Sequence, residues 1–226
     1  VLGIKKLADK LPESMEGIKP VLIYPLFGVL LIGVFMFAVN PTMAAINTGI
    51  TSFLNSMGGS SKILRGCIVA GMMSIDMGGP FNKAAYVFGT ASIASGNYDV
   101  MAAVMIGGMI PPLAVALATT FFKKKFTSEE RKSGVVNYIM GLCFITEGVI
   151  PFAAADPLRV IPSCVAGSAV AGGLSMLFGC TLRAPHGGIF VFPVVGNVVG
   201  YLIAFAAGSL VGMLLLGVLK KDKVAE

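Results

Sequence analysis

Glu147 stands inside Gly141–Arg159, a run that also holds Pro151, Asp156 and Pro157 yet is otherwise apolar enough to sit in lipid. An ionisable group at membrane depth costs at least ~2.5–3.5 kcal/mol, so it persists where it meets a partner, a cavity or a substrate. Gly and Pro break the backbone there, and the freed N–H and C=O groups must face protein or water. These features predict a re-entrant or broken segment holding an acidic binding group near the middle of a membrane. The alternative is a Pro-kinked helix with Glu147 paired to Arg159 or Arg183. A second break, Asp76-Met-Gly-Gly-Pro80-Phe-Asn82-Lys83, repeats the pattern: Asp76-x-x-x-Pro80-Phe81 and Glu147-x-x-x-Pro151-Phe152 lie 71 residues apart. Paired interrupted segments point to a transporter's binding site. An internal Asp76–Lys83 ion pair is the alternative there. A third break, Arg183-Ala-Pro-His186-Gly-Gly188, carries the only histidine.

A carboxylate, a histidine and an amide at membrane depth suit a neutral polyhydroxy ligand. An ionised Glu147 accepts hydroxyl hydrogen bonds in short, charge-assisted geometry. The sequence has neither a Walker loop nor a dinucleotide fingerprint. Energy for uptake therefore has to come from an ion gradient or from another protein. Cys67, Cys143, Cys164 and Cys180 are too far apart for a CxxC or zinc pattern and read as buried thiols. No metal or cofactor is expected.

The elements that must position these residues are helices in lipid. Of 226 residues, 56 % are hydrophobic and only 12 % charged, and the mean hydropathy is +0.87. Soluble domains carry about 25 % charge, so this is an integral membrane protein. The net charge of +6 does not indicate nucleic acid, because the basic residues cluster at 5–19, 123–132 and 220–223 beside apolar runs. By the positive-inside rule those regions are cytoplasmic.

Residues 1–20 predict a cytoplasmic interfacial helix, and 21–226 the membrane domain. Val21–Val39 is a charge-free span ended by Asn40-Pro41, and 43–57 reads as a separate amphipathic helix. Gly58–Ser61 is a turn. Val100–Phe122 predicts a span kinked at Pro111-Pro112. Lys123–Lys132 is the cytoplasmic loop, with Thr127 or Ser128 and Glu130 as a helix cap. Val160–Thr181 is a small-residue helix, and Ile189–Leu219, too long for one span, splits near Gly196–Gly200. An even number of crossings separates the 123–132 loop from the C-terminal lysines if one intervening piece re-enters.

Three stretches carry a resemblance: Asp76–Gly89 (DMGGPFNKAAYVFG), Ile145–Pro162 (ITEGVIPFAAADPLRVIP) and Ala184–Gly188 (APHGG). The sequence from about Leu11 to Leu219 resembles the fructose-family enzyme IIC component of the bacterial phosphoenolpyruvate:sugar phosphotransferase system. That resemblance implies an all-α, multi-pass protein of the bacterial inner membrane, a helical bundle with re-entrant hairpins. It implies a permease that binds fructose or a similar hexose and presents it to phosphorylated IIB, releasing sugar 1-phosphate inside. IIA and the phosphocarrier protein act upstream, lipid surrounds the protein, and the full-length protein is a homodimer.

Such a chain is the membrane subunit of a protein-N-phosphohistidine–sugar phosphotransferase, without a phosphorylated residue of its own. The resemblance implies catalytic roles for Glu147 and His186. It implies substrate-binding roles for both and for Asp76, Asn82, Lys83, Thr146, Asp156 and Arg159. Arg159 and Arg183 are expected to anchor the cytoplasmic rim, the alternative being that they offset phosphoryl charge. Relatives have spans ahead of the position of Leu11, so this sequence reads as a piece of a longer protein. Two rival readings are an ion-coupled secondary sugar transporter, with Asp76 and Glu147 as ion carriers, and a non-transporting membrane scaffold.

Overall fold

The computed structural model describes residues 5, 8, 11, 12, 16–56 and 62–223, with backbone alone at 46, 47, 50, 51, 54 and 55. Most of the expected interfacial helix over 1–20, and the turn at Gly58–Ser61, lie outside the described residues. The chain divides into two compact units, 1–49 and 50–226.

A π-helical turn, Lys19–Ile23, leads into α1 (Tyr24–Ser56). Lys19–Ala45 is long and apolar enough to cross a membrane, and beyond the buried Lys19 most of its side chains are exposed, Phe37 at 85 %. The expected helix end at Asn40-Pro41 is overturned: α1 runs straight through Pro41. One lost N–H donor costs less in lipid than opening a whole turn of backbone would, so Pro is tolerated there.

The second unit contains α2 (Lys62–Met72), α3 (Pro80–Ala94), α4 (Tyr98–Phe121), α5 (Ser128–Leu142), α6 (Ile150–Ala155), α7 (Pro157–Leu177) and α8 (Val198–Leu219). Strands β1 (Thr181–Leu182) and β2 (Val195–Gly196) form one antiparallel pair. Of these helices, α4, α7 and α8 have the length and composition to span a bilayer. The middle of the bundle is α4, buried on all sides from Val100 to Ala116. Pro111 and Pro112 lie inside it without ending it.

Small residues let the backbones touch. A Cβ placed on Gly167 of α7 would lie 2.7 Å from the Gly208 carbonyl oxygen of α8, and one on Gly208 would lie 2.6 Å from the Gly167 oxygen. Helices in lipid associate through such close packing, because no hydrophobic effect separates them from their solvent.

Ion pairs and hydrogen bonds fix which ends lie together. Lys125 Nζ donates to the Lys220 carbonyl at 2.6 Å, the Lys223 N–H to the Lys124 carbonyl at 2.9 Å, and Lys223 Nζ to Glu130 at 2.8 Å. The 123–132 loop and the C-terminal lysines therefore share one end, the cytoplasmic end by the positive-inside rule. At the opposite end of α4, Asp99 faces Lys62 (3.8 Å) and Arg65 (3.7 Å) from the start of α2.

Helix α2 thus enters from the outer end and stops after 11 residues, about 16 Å at 1.5 Å per residue, roughly half the hydrocarbon thickness. After a break over 73–79, α3 returns outward to α4. Helix α5 enters from the cytoplasmic end and gives way to a 3₁₀ turn, Thr146–Val149. α6 then returns to Asp156, which meets Lys220 Nζ at 3.4 Å. Two interrupted hairpins enter from opposite sides. Only α7 and α8 cross between the 123–132 loop and Lys220, which is the even number that a re-entrant piece requires.

Candidate functional site

The outer hairpin tip is built around Asp76. Its Oδ2 accepts the Phe81 N–H at 2.7 Å and its Oδ1 the Asn82 N–H at 3.0 Å, so the carboxylate caps the otherwise unpaired donors that open α3. Asn82, 3 % exposed, closes the break by donating Nδ2 to the Met73 carbonyl at 2.7 Å. The chain turns through left-handed conformations at Met77 (φ 47°) and Gly78 (φ 112°). Below the tip, the Ser168 hydroxyl donates to the Gly107 carbonyl at 2.8 Å, so Ser74 donates to Ser168 at 2.5 Å. That chain fixes the end of α2 against α7 and α4.

The cytoplasmic hairpin tip follows Leu142. Phe144 takes φ 63°, and the Ile145 N–H reaches back to the Met140 carbonyl at 2.9 Å. Non-glycine residues in that region carry strain of order 1–3 kcal/mol and collect at functional sites. Thr146–Val149 then winds as 3₁₀, and Pro151 fits the first turn of α6, where no N–H is needed. Asn137 of α5, 1 % exposed, packs beneath Gly148 with both amide atoms unpartnered among the described residues.

The third contribution is a loop that leaves and rejoins the bundle through the β1–β2 pair. Residues 183–194 dip inward, and Gly188 (φ 57°) lies against the backbone of Leu142 and Cys143. This places the His186 ring edge-on to Phe144 at 5.3 Å. Phe192 anchors the far side of the loop against Tyr201 (5.1 Å) and Phe205 (5.7 Å). The Tyr201 hydroxyl donates to the Ala102 carbonyl at 3.1 Å.

All three meet around a cavity of about 300 Å³ lined by Met73, Asn82, Lys83, Tyr86, Phe144, Ile145, Thr146, Glu147 and His186. Its size lies at the lower end of small-molecule sites, typically about 300–1,000 Å³. Among the described residues, the Glu147 carboxylate, the His186 ring and the Lys83 ammonium form no hydrogen bond or ion pair with the protein. The side chain of Glu147 is exposed to this hollow, and neither Arg159 nor Arg183, the partners of the alternative reading, pairs with it. A carboxylate acceptor, an ammonium donor, an imidazole, an amide and two hydroxyls beside aromatic rings can bind a polyhydroxy molecule.

Sequence reasoning brings Asn82, Lys83, Thr146, Glu147 and His186 to this cavity. Three other expected substrate-binding residues stand elsewhere. Asp76 has both oxygens committed to the backbone of its own tip. Asp156 and Arg159 pair with each other at 3.0 Å at the foot of the cytoplasmic hairpin. The alternative Asp76–Lys83 ion pair is not among the described ion pairs. Arg183, expected at the cytoplasmic rim, lies over the Tyr98 ring at 4.9 Å, at the outer end of α4. The loop carrying it starts from that end, so its charge is not available to the cytoplasmic rim.

Tyr86 and Phe144 were missed. Tyr86 follows Asn82 by four residues and Lys83 by three on one helix, a spacing that puts all three on one face, so its signal was present. Phe144 gave none, since its position depends on a left-handed turn that no local pattern demands.

Comparison with known proteins agrees with this architecture. The family model for the phosphotransferase system EIIC matches residues 3–167. The chain is 53 % identical over 222 residues to the fructose-specific EIIABC component of Bacillus subtilis, covering 98 % of this chain and 35 % of the relative. It is 52 % identical to the fructose permease IIC component of Bacillus amyloliquefaciens, covering 98 % and 73 %. It is 47 % identical to the fructose-specific EIIB'BC component of Escherichia coli, covering 95 % and 39 %. The chain therefore spans between about a third and three-quarters of these relatives' lengths. No solved structure matches it. The family consists of bacterial inner-membrane permeases, and the four long apolar helices agree with that placement. With its paired interrupted hairpins, its apolar spans and a match over most of its length, the chain belongs to the EIIC family of the phosphotransferase system.

Proposed function

We propose that this chain is the sugar-translocating part of a fructose-type permease, with residues 1–20 at the cytoplasmic surface and 21–226 in the membrane. It binds fructose or a similar hexose between the two hairpin tips and presents it to a phospho-cysteine of IIB. Sugar 1-phosphate is released inside, and IIA and the phosphocarrier protein recharge IIB. The full-length protein works as a homodimer. The printed names of relatives that combine EIIB with EIIC support the IIB partner.

The observation that carries this reading is Glu147: a carboxylate at hairpin depth, facing a cavity and bound to no cation among the described residues. Glu147 accepts the hydroxyl to be phosphorylated and takes its proton as general base. His186 hydrogen-bonds the sugar or the arriving phosphoryl oxygens, while Asn82 and Thr146 bind further hydroxyls. Lys83 borders the same hollow. Asp76 shapes the tip and is not a free ion carrier, which removes one of the two carboxylates that ion coupling would use.

The test supplies membrane vesicles holding the full-length protein with phosphorylated IIB and labelled fructose. Accumulation of sugar phosphate is expected, and Glu147→Gln abolishes both hexose binding and product. Uptake of unmodified sugar that collapses with an uncoupler would overturn the reading.

A further inference from the structure

A neutral hexose does not require an ammonium group, yet one borders the cavity. Lys83 lines it together with Glu147 and His186. Its ammonium has no carboxylate partner among the described residues. An unpaired cation at membrane depth is costly to keep, so its retention calls for an anion that arrives from outside the fold. The other candidate cations are occupied or distant. Arg159 is held by Asp156 at 3.0 Å at the hairpin foot, Arg183 rests on Tyr98 at the outer end, and Lys62 and Arg65 face Asp99. Among the described residues, no other Lys or Arg lines the cavity.

The backbone around Lys83 is also fixed in advance. Asp76 clamps the N–H groups of Phe81 and Asn82, and the Lys83 N–H bonds the Gly79 carbonyl at 3.0 Å. The side chain therefore springs from a rigid first turn of α3, and its flexible stem can follow a ligand that changes charge.

We propose that Lys83 is a phosphoryl-contacting residue of this site, supplying the fixed cation beside His186, rather than one more ligand for sugar hydroxyls. This inference rests on the sugar-permease reading. In the transfer step the S–P bond of the donor phospho-cysteine breaks and an O–P bond forms to the sugar hydroxyl. The hydroxyl proton passes to Glu147, and the donor leaves as thiolate. Negative charge spread over the moving phosphoryl oxygens lies against the Lys83 ammonium, where a preorganised cation stabilises the transition state. After transfer, the same ammonium holds the dianionic product beside Glu147.

The experiment compares wild type, Lys83→Met and Lys83→Arg in the full-length protein. Without IIB, displacement of labelled fructose measures affinity for fructose and for fructose 1-phosphate. In Lys83→Met, affinity for fructose is expected to change by no more than about threefold, while affinity for fructose 1-phosphate falls at least about tenfold and kcat with phosphorylated IIB about a hundredfold. Lys83→Arg keeps the charge and recovers most of the product affinity. Equal losses for sugar and sugar phosphate, or an unchanged kcat, would overturn the assignment while leaving the sugar site intact. Failure of the wild-type protein to bind fructose would overturn the site reading itself, and this inference with it.

Discussion

Gly78, at the tip of the outer hairpin, lies against the Glu147 carboxylate at the tip of the cytoplasmic one: a Cβ added at Gly78 would stand 2.7 Å from Glu147 Oε1. The two tips thus share one patch of space although 69 residues separate them in sequence. Gly78 also holds φ 112°, which a side chain rarely adopts. Replacing it costs about 1–2 kcal/mol in backbone strain alone, and the new methyl pushes the carboxylate from its seat. Gly78→Ala is expected to insert normally in the membrane and to lose at least about tenfold in fructose affinity. Titration of purified protein checks this, and unchanged affinity would show that the tips need not touch for binding.

The Gly167–Gly208 crossing makes a different prediction. An added side chain on Gly167 meets a carbonyl oxygen 2.7 Å away, and backbone cannot step aside as a flexible side chain does. Overpacking of this kind costs about 1–3 kcal/mol. Gly167→Leu should lower the apparent melting temperature in detergent and the yield of folded protein, while Gly28→Leu, where nothing lies within 4 Å of an added Cβ, should leave both unchanged.

Lys220 anchors the cytoplasmic hairpin. Its side chain is 1 % exposed, with the ammonium 3.4 Å from Asp156 and 5.0 Å over the Phe126 ring. Lys220→Met removes one of two partners of Asp156 and leaves Arg159. The expected loss is about 1–3 kcal/mol, smaller than the roughly 3–5 kcal/mol of a buried charge left wholly unpaired. Adding Asp156→Asn should recover part of it. A double-mutant cycle in thermal unfolding measures the coupling, and additive effects would count against the pair.

Glu130 gives the pH dependence. Burial acts to raise its carboxyl pKa, but the Lys223 ammonium at 2.8 Å and the Thr127 N–H at 2.8 Å outweigh burial and hold it below its ordinary value. A carboxylate so depressed contributes its full stability above the unfolded value of about 4.3, and loses it as pH falls through the lower folded value. Wild type is expected to lose thermal stability on acidification below about pH 4.5 more steeply than Glu130→Gln. Parallel acid arms in the two proteins would refute the link.

What the sequence showed and what it hid divide along physical lines. Breaks were legible because Gly, Pro and a lone acid violate an otherwise apolar run, and both hairpin tips fall where those violations lie. The cap was legible for the same local reason: Thr127 accepts from the Glu130 N–H at 3.2 Å, and Glu130 accepts from the Thr127 N–H. The job of Asp76 was not, because a carboxylate near the start of a helix can cap it or bind a ligand with the same spacing. Nor was the place of Arg183, which depends on a two-residue strand pair turning the 183–194 loop back from the outer end. The continuity of α1 through Pro41 was hidden too, since the usual breaker signal weakens where lipid makes every open turn expensive.

The last lysines also set a mechanical condition. Lys220 grips the leg of the inner hairpin that ends at Asp156, and Lys223 grips the leg that begins near Glu130. Both belong to the tail of α8. If the inner hairpin shifts to let cargo through, it must either drag that helix end along as one body or let go of two ionic handholds at once, so the shift is a step and not a gradual slide.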